Sequence, residues 1–259
     1  MTADLTVAVL GLGEAGSAIA ADLVAAGVIV RGHDPAHRTV DGVHDAADEA
    51  AAARGADIVL SVNAAAVAIG VARAAAGALE RGRLYADLNT GAPALKREIA
   101  GVIEPTGAAF ADVGLLGPVP GHGIRTPALV SGPGAKRFSE LLAPLGMPAI
   151  EVGPEPGEAA ARKLARSVFM KGLAAAVGES LAAADAVGCA PWLREDLEQT
   201  LARADAGLVA RLLEGSRRHA IRRAEEMAAA SAMLDELGVE PRVARAAEAW
   251  LRAQSEVPR

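Results

Sequence analysis

The chain has 259 residues, 52% of them hydrophobic and 22% charged, with a net charge of −6 at pH 7. So much apolar material excludes disorder as the main state. An acidic chain with only two Trp, one Tyr and three Phe is poorly suited to phosphate backbones or unstacked bases, so no nucleic-acid partner is expected. The single Cys189 excludes an internal disulfide and suits a reducing compartment. No metal site is expected. The apolar run at residues 5–10 lacks a basic segment before it and falls far short of the roughly 20 residues that cross a bilayer, so a cytoplasmic location without a membrane partner is expected.

In chain order, short apolar runs at residues 5–10, 28–33, 57–62 and 83–88 predict strands, and Ala-rich stretches at 16–26, 46–54, 64–80 and 93–100 predict helices. This alternation implies βαβ units and a parallel sheet. Further strands are expected at 108–113, 128–131 and 149–152. Gly153-Pro154-Glu155-Pro156-Gly157 then punctuates the chain. Residues 158–187 contain no proline and read as one long helix; 191–250 is helical by pattern, broken at Gly207 and at 238–241. The expected class is α/β: a Rossmann-type domain over 1–156 and an all-helical domain over 157–259 beginning with the long interdomain helix.

Gly11-Leu12-Gly13-Glu14-Ala15-Gly16 follows the first predicted strand and opens a helix. Gly11 permits a tight turn, Gly13 lets a pyrophosphate approach the backbone, and Gly16 lets helix and strand pack closely. The helix N-terminus offers unpaired N–H donors to an anion. Asp34 ends the second strand eighteen residues after Gly16, where the dinucleotide fingerprint needs an acid for the ribose hydroxyls. A carboxylate there repels a 2′-phosphate and favours NAD; His33, His37 and Arg38 lie near enough in sequence to hold that phosphate, so NADP stays open. Ser61-Val62-Asn63, at the carboxyl end of a strand, is expected along the cofactor.

These features, with three further segments in order, resemble the β-hydroxyacid dehydrogenase family, which includes 6-phosphogluconate and 3-hydroxyisobutyrate dehydrogenases. The segments are Tyr85-Ala86-Asp87-Leu88-Asn89-Thr90 with Pro93, Ala111-Asp112-Val113-Gly114-Leu115-Leu116-Gly117-Pro118, and Lys163 on the long helix. The resemblance implies that Asn89 and Thr90 lie beside the nicotinamide, that Leu116 and Gly117 belong to the substrate loop, and that Lys163 is the general acid/base. It also implies a homodimer formed by the helical domain. The chain departs from the family where Leu116 replaces a substrate-binding Ser. It departs again where Lys163-Leu164-Ala165-Arg166-Ser167 replaces a Lys-x-x-Asn-Asn or Lys-x-x-His-Asn pattern, leaving Arg166 or Ser167 to hold the substrate. These changes are similar to a bacterial subgroup with a short helical C-terminal domain of unsettled role.

A Lys can move a proton at neutral pH if burial or neighbouring cations lower its pKa; Arg162 and Arg166 flank Lys163. Lys171, about 80° around the helix from Lys163, could anchor an anionic substrate or serve as an alternative acid/base. The segment 118–127 reads as a substrate lid, with His122 and Arg125 able to bind a carboxylate or phosphate. Arg217, Arg218, His219, Arg222 and Arg223 form a basic cluster expected on one C-terminal helix, with His219 or Arg222 able to complete a partner's site. The expected activity is hydride transfer between NAD(P) and a small, anionic, β-hydroxyacid-like substrate. Imine reduction on the same scaffold and non-catalytic dinucleotide binding are the alternatives.

Overall fold

The computed structural model describes residues 5–36 and 38–255. Among the described residues, eight strands form one sheet: β1 (Thr6–Leu10), β2 (Ile29–His33), β3 (His44–Asp45), β4 (Ile58–Ser61), β5 (Leu84–Asp87), β6 (Ala109–Leu115), β7 (Ala128–Ser131) and β8 (Ala149–Gly153). Their order is β3-β2-β1-β4-β5-β6-β7-β8. All pairings are parallel except β6 with β7, which run antiparallel. The connecting helices are α1 (Glu14–Ala25), α2 (Glu49–Ala53), α3 (Ala68–Ala76), α4 (Pro93–Ile103) and α5 (Ala135–Leu142).

Alternation along the central strands builds two cores, one on each face. Val7, Val9, Ile58, Leu60, Leu84 and Ala86 join Ile19 and Leu23 of α1 and Phe138 of α5 on one face. Ala8, Leu10, Val59 and Tyr85 join Ala72 of α3 and Ile99 and Ile103 of α4 on the other. Strands covered on both faces read as continuous apolar runs, which is why they are visible in the sequence. The short β3 is not: His44 and Asp45 are exposed and pair only with Arg31 and Gly32. α2 is shorter than the Ala-rich stretch suggests because Asp48 stops it on the N-terminal side, its carboxylate accepting the Ala51 N–H at 2.7 Å.

The remaining helices are α6 (Glu158–Ala186), α7 (Ala190–Ala202), α8 (Leu208–Arg218), α9 (Ala220–Glu236) and α10 (Arg242–Ser255). Two compact units divide after Arg166, so the first turns of α6 belong with the sheet and the rest of it with α7–α10. In the helical unit, Glu179 caps α10 by accepting the Val243 and Ala244 N–H groups at 2.7 and 2.8 Å. α7 and α8 hold no buried residue. The helix expected to carry the whole basic cluster is broken at His219: Arg217 and Arg218 end α8, whereas Arg222 and Arg223 lie on α9. By length and composition α6 could cross a bilayer, and 6% of that stretch is buried.

Candidate active site

The glycine loop has the geometry its three glycines suggest. Gly11 adopts φ +98, and a Cβ there would lie 2.3 Å from the Val62 carbonyl oxygen. A Cβ on Gly16 would lie 1.9 Å from the Gly11 carbonyl oxygen, so the first turn of α1 rests directly on the loop. Gly13, the N-cap of α1, has no side-chain cap. A Cβ there would meet only Arg38 Nη1, at 3.9 Å. The loop therefore presents an open face and free helix N–H groups, as a diphosphate needs. Glu14 is exposed, Ala15 half-buried and Leu12 buried. Beside the loop lies a cavity of about 480 Å³ lined by Leu10, Gly11, His33, Glu49, Asn63 and Val67.

Asp34 is 5% exposed. Its two oxygens accept the Leu12 and Ala36 N–H groups at 2.8 Å each, and Arg38 Nη1 lies 3.3 Å away. Burial alone would raise its pKa, but the two backbone donors and the Arg38 cation outweigh that and hold it below the ordinary value. The carboxylate thus already fastens the glycine loop to the turn after β2, and its charge is balanced on the side facing Gly13. His37 lies outside the described residues. Among the described residues, no group of three or more His, Cys, Asp or Glu is placed to hold a metal.

At the carboxyl edge of the sheet, buried polar groups form a continuous network. Asn89 accepts the Asn63 N–H at 2.5 Å and donates to Ser61 Oγ at 3.1 Å and to Asp87 Oδ1. Asn63 Nδ2 donates to the same Ser61 Oγ at 3.0 Å. Ser61 and Asn89 are buried, so both shape the edge from within. Asp87 Oδ2 and Asp112 Oδ1 lie 2.6 and 3.2 Å from the ammonium of Lys96. Burial and the Asp112 charge raise the pKa of Asp87 despite Lys96 and Asn89. Asp112 Oδ2 accepts the Gly157 and Ala160 N–H groups at 3.0 Å each, and Ser131 Oγ accepts the Ala159 N–H at 3.0 Å. Asp112 in the middle of β6 and Ser131 at the end of β7 therefore cap α6, whose N-terminal dipole favours the Asp112 charge. Removing one member of such a buried ionic cluster costs about 3–5 kcal/mol.

Lys163 stands one turn beyond this cap. Its Nζ donates to Thr90 Oγ1 at 2.7 Å, and its stem lies over Gly114 of β6. Arg166 Nη1 donates to the Leu116 carbonyl at 3.0 Å. The structure thus brings Thr90, Leu116, Lys163 and Arg166 together, with exposed Gly117 next in the chain. Arg162 turns away, donating to the Val152 carbonyl and lying 3.3 Å from Glu158. Segment 118–127 is anchored rather than loose: Ile124 N donates to Asp22 at 2.9 Å, and Thr126 is buried. His122 and Arg125 are exposed on its surface. Lys171 is exposed and Ser167 half-buried, both in the helical unit.

Lys96 escapes the sequence reading altogether, and Asp112 and Gly114 enter it only within the segment 111–118, with no role of their own. Lys96 leaves a trace in the sequence: with Ile99 and Ile103 it occupies the buried stripe of α4, where a charge is anomalous.

Residues 6–153 match the family described as the NAD binding domain of 6-phosphogluconate dehydrogenase, and 184–254 match a domain of unknown function (DUF1932). A 28.5 kDa uncharacterized protein of Methanothermus fervidus, encoded in a 7S RNA 5′ region, is 30% identical over 144 residues; the match covers 56% of this chain and 55% of that relative. The conserved protein MTH1747, of unknown function and described as structurally similar to 3-hydroxyacid dehydrogenases, is 29% identical. It covers 96% of this chain and 98% of its own, with a TM-score of 0.62. An imine reductase from Myxococcus stipitatus, solved with NADP+, shares the fold with a TM-score of 0.81 at 22% identity, over 96% of this chain and 93% of its own.

Proposed function

This chain belongs to the family of the NAD binding domain of 6-phosphogluconate dehydrogenase, and from that premise we propose that it is an oxidoreductase moving hydride between NAD(P) and a small, anionic, β-hydroxyacid-like substrate. The observation that carries this reading is Lys163 Nζ on Thr90 Oγ1, at the sheet edge where the glycine loop also opens. The cofactor supplies a hydride acceptor or donor. Gly11, Gly13 and the N–H groups of α1 would hold its diphosphate. The neutral Lys163 amine would take the hydroxyl proton in oxidation, its ammonium would return a proton to a carbonyl oxygen in reduction, and Thr90 would orient the Nζ. Arg166, held on the Leu116 carbonyl, keeps positive charge near a substrate carboxylate.

The Asp34–Arg38 pair bears on the choice of cofactor. Asp34 supports NAD, and Arg38, beside the open face of Gly13, supports a 2′-phosphate. Imine reduction is the second reading, favoured by the aliphatic Leu116 in place of a hydroxyl; proton delivery from Lys163 to nitrogen would serve it equally. The unburied faces of α7 and α8 support a homodimer. A cytoplasmic location fits that reading.

A fluorescence assay of NADH and NADPH oxidation against hydroxyacids, ketoacids and cyclic imines, run in both directions, tests the proposal. Turnover of ketoacids and hydroxyacids is expected. Turnover of imines alone would replace the first reading with the second, and no turnover with any member would sink both.

A further inference from the structure

We infer that Lys96 is a positioning residue that sets Lys163 against Thr90. This inference rests on the role proposed above for Lys163. The contact between Lys163 and Thr90 joins two segments that arrive independently: the turn leaving β5 and the second turn of α6. Both are fixed to the same ammonium. On one side, Lys96 Nζ donates to the Asp87 carbonyl at 2.9 Å and to Asp87 Oδ2 at 2.6 Å, three residues before Thr90. On the other, it lies 3.2 Å from Asp112 Oδ1, whose second oxygen receives Gly157 N and Ala160 N, three residues before Lys163.

Lys96 is 1% exposed, so it acts on Lys163 through these carboxylates rather than by touching substrate or cofactor. A buried ionic cluster is weak evidence for stability, since apolar replacements of equal volume often serve as well. Its distinctive property is directional: ammonium and carboxylates must meet at hydrogen-bond distance, which fixes the register between α4, β5 and β6. Apolar side chains at Lys96 would let these elements settle by a few tenths of an ångström. Misplacement of a reacting group by about 1 Å can cost about 100-fold in rate.

The single variant Lys96→Met would strand two carboxylates together and could unfold the chain. The charge-balanced pair Lys96→Met with Asp87→Asn removes the tie while preserving side-chain volume. In the full-length protein, trace acetic anhydride labelling read by mass spectrometry gives the ratio of Lys163 to Lys171 modification, with Lys171 as an exposed internal standard. A several-fold change in that ratio in the double variant, at unchanged melting temperature, is expected; an unchanged ratio overturns the inference. This readout needs no turnover, so it stands or falls separately from the proposed activity. Where a substrate is found, kcat should fall several-fold in the double variant with KM and cofactor affinity near wild type. An unchanged kcat, or a loss confined to KM, also overturns it.

Discussion

Gly114 lies directly beneath Lys163: a methyl group at Gly114 would stand 3.2 Å from Lys163 Cβ and 3.3 Å from the Ala159 carbonyl oxygen. The strand thus leaves a gap the width of one side chain, and the lysine stem runs over it. Gly114→Ala should displace the start of α6 by a few tenths of an ångström and lower kcat, with cofactor affinity unchanged. Wild-type kinetics in this variant would show that α6 accommodates the methyl without moving Lys163.

Lys163→Met keeps the stem over Gly114 and removes the ammonium head to which the proposed function gives the proton transfer. A loss in kcat of about 10²–10⁴-fold is expected, with cofactor affinity little changed. Lys171→Met should mainly raise KM if Lys171 only holds an anionic group. An inactive Lys171→Met beside an active Lys163→Met would move the chemistry two turns along the helix.

Gly13 and Gly11 should respond differently to substitution. Gly13→Val meets little protein, so the melting temperature should hold while dinucleotide binding is lost. Gly11→Ala combines a positive φ with a clash on the Val62 carbonyl and should destabilise the chain itself. Thermal melts paired with titration of NADH and NADPH distinguish the two; undiminished cofactor affinity in Gly13→Val would sink the assignment of the diphosphate.

The lowered pKa of Asp34 gives stability an acid limb. The folded chain binds this proton less readily than the unfolded chain, so the contribution is present above the unfolded value near 3.8 and is lost as pH falls through the lower folded value. Asp34→Asn should flatten that limb in melts recorded across acid pH. Its companion Arg38→Ala should weaken NADPH binding more than NADH binding if the guanidinium meets a 2′-phosphate. Equal losses for the two cofactors would remove Arg38 from that role.

Trp192, Val209, Leu212 and Ile221 are all at least half exposed on or beside α7, α8 and α9. Apolar faces of this extent are normally covered by a partner. Sedimentation at micromolar concentration should show a dimer, and charged replacements at Trp192 and Leu212 should dissociate it. A wild-type monomer would contradict the proposal.

The sequence by itself determined the alternating sheet, the glycine loop and the long helix bearing Lys163. These signals are short-range: apolar runs covered on both faces, glycines at turns and the spacing of one loop. It did not mark the break at His219, because Arg217-Arg218 and Ala220-Ile221 beside it carry no Gly or Pro. Nor did it show that Asp34 would bind Leu12 and Ala36, or that Lys96 would lie between Asp87 and Asp112. Those pairings were decided by the sheet, which places β5 beside β6 and brings residues 45 and 48 positions further on back to Asp112. A polar side chain in a sequence advertises its chemistry but not its partner. The partner is chosen where strand ends converge and burial leaves a charge no water to turn to.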